Sequence, residues 1–279
     1  MADQRSQTER WVSFAAGIVT PVTLITALLF YFGYVSARSQ YEYFGIDVDA
    51  IGLSTQDYVM RSPQPLLVPL LVLSLVAVAG LLLHNAIRAK AGLVAVRRAR
   101  LAAIVVLALG VIGLFLYPLL GGLAYYALVV PLVIGLAAAV LAYLSYLTTR
   151  LSELRPQVAL IALLTVVTVT CAFWATATTA QYSGRGLAKS NAEHLDRLPV
   201  VILDSKERLH LRSPGVEETA LRPRADQTFN YRYRGMRLLI VGENRLFLVP
   251  QRWNASNTTL VVPLDESIRV QFQFQNDPP

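Results

Sequence analysis

The side chains able to do acid–base, nucleophilic or metal chemistry are few and scattered in this sequence. The three histidines, His84, His194 and His210, fall into no metal-ligand spacing such as H-E-x-x-H. The single cysteine, Cys171, sits in an apolar stretch and can form neither an intrachain disulfide nor a cysteine zinc site. No G-x-S-x-G elbow, Walker loop or G-x-G-x-x-G after a strand is present. The acidic pairs Glu217, Glu218 and Asp265, Glu266 stand beside turn residues, where a solvated loop is expected. The chain is therefore read as a non-enzymatic protein with no catalytic residue, no metal site and no cofactor.

What remains is an opposition of charge. The segment Tyr41 to Arg61, YEYFGIDVDAIGLSTQDYVMR, carries Glu42, Asp47, Asp49 and Asp57, and the β-rich tail carries Arg232, Arg234 and Arg237. Carboxylates meeting guanidiniums would make a docking or ligand site, since Arg and aromatic residues are enriched where proteins bind one another. The plainer reading is an interfacial cap and an ordinary strand with a wet face. Tyr41, Tyr43, Phe44 and Tyr58 suit a membrane interface, and Ser54 with Asp57 forms a capping box ahead of a short helix from Thr55.

The elements that must position these residues follow from where charge is missing. Asp, Glu, Lys and Arg are absent from 11–37, 62–87, 101–149 and 156–184, gaps of 27, 26, 49 and 29 residues. About 20 apolar residues cross a bilayer once, so the longest gap holds two crossings. The reading is a multi-pass α-helical membrane protein with five transmembrane helices near 11–35, 65–86, 101–120, 124–148 and 158–180. Residues 1–10 form the N-terminus, 11–180 the bundle with an interfacial outer loop at 37–63, 181–197 a linker helix and 198–279 a β-rich domain. The first segment exceeds a signal-peptide core and is read as a retained helix.

Orientation follows from Lys and Arg alone. Arg5 and Arg10, then Arg88, Lys90, Arg97, Arg98 and Arg100, then Arg150 and Arg155 fall on one side of five crossings, nine in all, against Arg38 and Arg61 on the other. The basic side is cytoplasmic, which places the tail outside. Six threonines between Thr165 and Thr179 make the last segment the least apolar, and a four-span chain is the alternative. Those threonines would either stabilise helix contacts or line a pore.

From Leu198 the hydrophobic period changes to two. Short runs at Leu198–Leu203, Arg208–Arg212, Thr228–Arg234, Met236–Val241, Arg245–Val249, Thr259–Leu264 and Ser267–Phe274 predict a small all-β domain, sandwich or barrel-like. Gly242, Glu243 and Asn244 mark a hairpin, and Asn254 and Asn257 open two N-x-[ST] sequons. The net charge of +7 gathers at helix ends, so a nucleic-acid partner is not expected. The expected partners are the lipid bilayer and a protein or a second copy. The function expected is to anchor and position an extracytoplasmic β domain for binding a protein, envelope component or ligand. A channel or passive transporter gated by that domain is one alternative. An envelope enzyme using carboxylates at the loop junction is another. Abundant Ala, Val, Leu and Arg with compact loops points to a bacterial plasma (inner) membrane.

Overall fold

The computed structural model of the chain describes residues 2–88, 93–152, 157–211, 213–222, 227–254 and 258–273. Among them are seven α-helices: α1 (Ala2–Glu42), α2 (Thr55–Arg61), α3 (Pro63–Arg88), α4 (Leu93–Phe115), α5 (Tyr117–Leu120), α6 (Tyr126–Ser152) and α7 (Val158–Glu193). Six strands follow: β1 (Val200–Ser205), β2 (Glu217–Ala220), β3 (Tyr231–Val241), β4 (Arg245–Pro250), β5 (Leu260–Pro263) and β6 (Ile268–Gln273). Five helical stretches, Pro21–Glu42, Pro63–Asn85, Val94–Phe115, Tyr126–Thr149 and Val158–Glu193, are long and apolar enough to cross a membrane. Lys90, Arg155, Arg212, Asn257 and Phe274, all used in the sequence reading, lie outside the described residues. The chain divides into two compact units, Gln64–Ala180 and a second made of Met1–Pro63 with Gln181–Pro279.

Glycines let helices of the first unit approach one another closely. A side chain at Gly110 of α4 would bring its Cβ within 2.7 Å of Ile134 on α6. Val130 and Ile134 of α6 are buried with Cys171 of α7. His84 Nδ1 of α3 and the Tyr143 hydroxyl of α6 are hydrogen-bonded at 2.7 Å. α4 stops at Phe115, short of the expected end at 120, and the chain restarts as α5 with Pro118 in its first turn. Proline lacks the N–H that would continue the helix and its ring collides with the preceding turn.

In the second unit, residues expected to form a separate linker helix are the last turns of α7, which runs unbroken to Glu193 before a 3-10 turn at Leu195–Arg197. The change from apolar to polar side chains brings no proline, and the helix continues through Gly184 and Gly186. Gly184 of α7 packs directly on α1, where a Cβ would lie 2.0 Å from the Ser36 carbonyl oxygen.

The strands form one antiparallel sheet in the order β5-β4-β3-β1-β6, with β2 pairing to the first part of β3. One face of the sheet carries a buried cluster. There Val201, Leu203, Tyr233, Met236, Leu246, Leu248 and Val262 are buried, and side chains from both outer strands, Leu260 of β5 and Ile268 and Val270 of β6, join them. The expected β domain is present as a single antiparallel sheet. Two expected strands, Thr228–Arg234 and Met236–Val241, are one strand joined through Gly235, whose φ of 79° is open to glycine at little steric cost. Arg208–Leu211 is not a strand, although Leu209 and Leu211 pack on the core. Glu217–Ala220 is one, because β3 offers it a partner despite its low β-propensity. The hairpin at Gly242–Asn244 is present, closed by the Gly242 N–H donating to the Arg245 carbonyl.

Candidate functional site

The segment between α1 and α3 meets the β sheet through apolar side chains. Phe44, Ile46, Val48, Ile51 and Tyr58 share a buried core with Ala37 and Tyr41 of α1, Ala188 of α7, Ile240 of β3, and Phe247 and Val249 of β4. β4 alternates strictly, sending Phe247 and Val249 to this core and Leu246 and Leu248 to the other. It is a strand buried on both faces. Polar groups fix the fit: the Thr259 hydroxyl donates to the Phe44 carbonyl at 2.6 Å and the Glu243 N–H to the Ile51 carbonyl at 3.3 Å. Trp253 lies against Tyr43 and Phe44, with ring centroids 5.9 and 5.1 Å apart.

The four carboxylates of the segment serve local structure. Glu42 pairs with Arg38 at 2.6 Å. Asp47 caps the 3-10 turn at Val48–Ala50 by accepting from the Asp49 N–H, and Asp49 accepts from the Tyr34 hydroxyl at 3.4 Å. Asp57 completes the capping box with Ser54, whose hydroxyl and N–H hold its carboxyl below the ordinary range. None of the four has a described hydrogen bond or ion pair with Arg232, Arg234 or Arg237.

Each of those arginines has a different setting. Arg232 is bound by Asp204, directly opposite on β1, at 2.7 and 3.0 Å. From the other side Arg269 of β6 reaches the same carboxylate at 2.6 and 3.1 Å and lies over the Phe229 ring. Asp204 is fully buried. Hydrogen bonds from Arg232 outweigh its burial and, with those from Arg269, hold its carboxyl below the usual carboxylate range. Arg237 is 8% exposed and donates to the carbonyls of Asp196 and Leu198, at 3.2 and 2.9 Å, just beyond the end of α7. Arg237 thus pins the sheet to the 3-10 turn that follows α7.

Arg234 lines an open cleft. The cleft, about 490 Å³, has Val200 and Ile202 of β1 in its lining, with Glu217, Arg234, Gly235, Gln251, Arg252 and Gln273 around it. Glu217 stands opposite Arg234 in register. The arrangement offers two guanidiniums, one carboxylate and two amides around an apolar patch, which is a set for binding a polar or anionic group. Among the described residues no three His, Cys, Asp or Glu side chains come together in a way that could hold a metal ion. Asp204, Arg252 and Arg269 were not singled out by sequence reasoning. The signal available was an Asp closing the apolar run Val200–Leu203 with two Arg-bearing strands to pair beside it.

Comparison with protein-family models, with curated proteins and with solved structures finds no match to this chain.

Proposed function

We propose that the chain is an integral protein of a bacterial plasma membrane that anchors and positions an extracytoplasmic β domain for binding, with its N-terminus in the cytoplasm and no catalysis of its own. The observation that carries this reading is the core shared by the segment after α1 and the domain after α7. Four long apolar helices separate them in the chain. An even number of crossings returns the chain to the side it left, so both pieces meet on one side of a bilayer when all four cross and cannot when just one of the four fails to cross. That count supports five spans over four.

Two further observations agree. Leu67, Leu81 and Leu163, at 70%, 66% and 66% exposure, belong to apolar surfaces far larger than water tolerates on a soluble monomer. The Thr168 hydroxyl, besides bonding back along α7, reaches the Gly135 carbonyl of α6 at 3.5 Å, which supports a packing role for that threonine.

The binding face in this reading is the cleft with Arg234 and Arg252, and its occupant is a protein, envelope component or ligand presenting an anionic group. The test is gentle affinity purification of the full chain from native membranes, followed by native mass spectrometry, beside an Arg234→Glu, Arg252→Glu variant. A component in fixed ratio that is lost from the variant is expected. Equal recovery from both, or no component at all, overturns the assignment of the cleft.

A further inference from the structure

β6 is the outermost strand at one end of the sheet, six residues long, whereas β5 at the other end has four residues and stops at Pro263. The hydrogen bonds show which side of β6 is open. The Lys206 N–H donates to the Ser267 carbonyl at 3.0 Å, continuing the β1–β6 register, which turns the main-chain groups of Ser267, Arg269, Gln271 and Gln273 toward β1. The Ser205 carbonyl accepts from Asn230 on the opposite side of β1, as that alternation requires. The groups of Ile268, Val270 and Phe272 therefore point away from the sheet. The Ile268 N–H is taken by the Asp265 carbonyl, leaving both groups of Val270 and of Phe272 without a partner among the described residues.

Edge strands are ordinarily guarded by proline, lysine or a bulge. Residues 268–273 contain none of these. Their one charged side chain, Arg269, is drawn back onto Asp204. Phe272 stands beside the fully buried Val201, yet it is 57% exposed, with no described strand on its outer side.

We propose that this edge pairs with the same edge of a second copy of the chain, antiparallel, about a two-fold axis at Gln271. In that register Val270 of each copy faces Phe272 of the other, and the four open main-chain groups of each copy form four hydrogen bonds between them. Apolar side chain meets apolar side chain, and Arg269 stands opposite Gln273. Moving the axis to Val270 would leave the Phe272 carbonyl facing an N–H already taken. Moving it to Arg269 would set the two arginines against each other, which like-charge repulsion disfavours. Because Gln273 also lines the cleft, the pair brings Arg269 of the second copy beside each binding face. The pairing stands on the strand edge itself and does not depend on what the cleft binds.

The register gives the test. At the axis Gln271 faces itself in a non-hydrogen-bonded pair, with Cα atoms about 4.5 Å apart, within disulfide range. Gln273 lies on the same face but about 13 Å from its counterpart. In a Cys171→Ser background, the full chain carrying Gln271→Cys and kept in its native membranes should form an intermolecular disulfide under mild oxidation in at least tenfold greater yield than one carrying Gln273→Cys. Adding Phe272→Lys to Gln271→Cys should cut the yield about tenfold, since that contact occurs twice in the pair. Equal cross-linking at both positions, no cross-link at Gln271→Cys, or indifference to Phe272→Lys overturns the proposal. Both glutamines are exposed, so the cysteine variants should fold.

Discussion

Asp204 shows how one side chain governs the chemistry available on a sheet face. It neutralises two arginines that would otherwise repel each other across β1, and both contacts follow from register, since Arg232 and Arg269 are its cross-strand neighbours. Its carboxyl is held below its ordinary value, so the folded state binds a proton there less readily than the unfolded chain does. The stability it contributes is therefore complete above the unfolded value near 4 and is lost as pH falls through the lower folded value. Thermal unfolding of the purified chain between pH 7 and pH 3 should show a falling midpoint below about pH 4. Asp204→Asn should flatten part of that fall and cost about 2 kcal/mol at neutral pH, because it leaves two guanidiniums without their counter-charge. An unchanged profile in Asp204→Asn would mean that the cluster contributes nothing to folding.

At the scale of elements, two glycines two residues apart on α7 carry opposite expectations. Gly184 lies so close to α1 that a Cβ would sit 2.0 Å from the Ser36 carbonyl oxygen, whereas nothing lies within 4 Å of a Cβ at Gly186. Gly184→Ala should destabilise the protein by about 2 kcal/mol through forced separation of the helices. Gly186→Ala should instead stabilise it by up to about 1 kcal/mol, since alanine is the better helix former. Melting temperatures of the two variants, compared in the same detergent, decide the point, and equal shifts would exclude close packing of α7 on α1. The same spacing explains why α7 had to continue past the apolar stretch. Ala188 is buried in the loop and sheet core, with Ala192 packed against it, and only a continuous helix carries both there from Gly184.

For the whole molecule the question is sidedness. In the proposed topology, with the Lys and Arg excess in the cytoplasm and five crossings, Ala95 near the start of α4 is expected inside and Asn244 at the hairpin tip outside. In a Cys171→Ser background, an impermeant thiol reagent added to intact cells should label Asn244→Cys and spare Ala95→Cys. The reverse pattern would invert the topology, and labelling of both would break the five-span count. A shared core of loop, helix ends and sheet also predicts that the β domain reports on the helices, since Phe247 and Val249 on one face of β4 are buried with Tyr41 and Ala188.

Much of this was legible in the residues. Runs without charge gave the five long helices because a bilayer or a helix interior tolerates little else, the period-two pattern after Leu198 gave a β domain, and Gly242–Asn244 gave its hairpin. These are local signals, carried by side-chain type and spacing within one segment. Partners across strands were not legible. Opposed charges at Asp47, Asp49 and Asp57 and at Arg232, Arg234 and Arg237 suggested a contact, but Asp204 and Arg269 meet Arg232 instead, and the carbonyls beyond α7 meet Arg237. Which strand lies beside which is set by long-range pairing, and a displacement of one residue would send every side chain of a strand to the other face. Sequence alone therefore determined the kinds of element and their order. Only the tertiary structure decided that β4 is buried on both faces, that the loop joins the sheet through Phe44, Ile46 and Ile51, and that Arg234 lines a cleft.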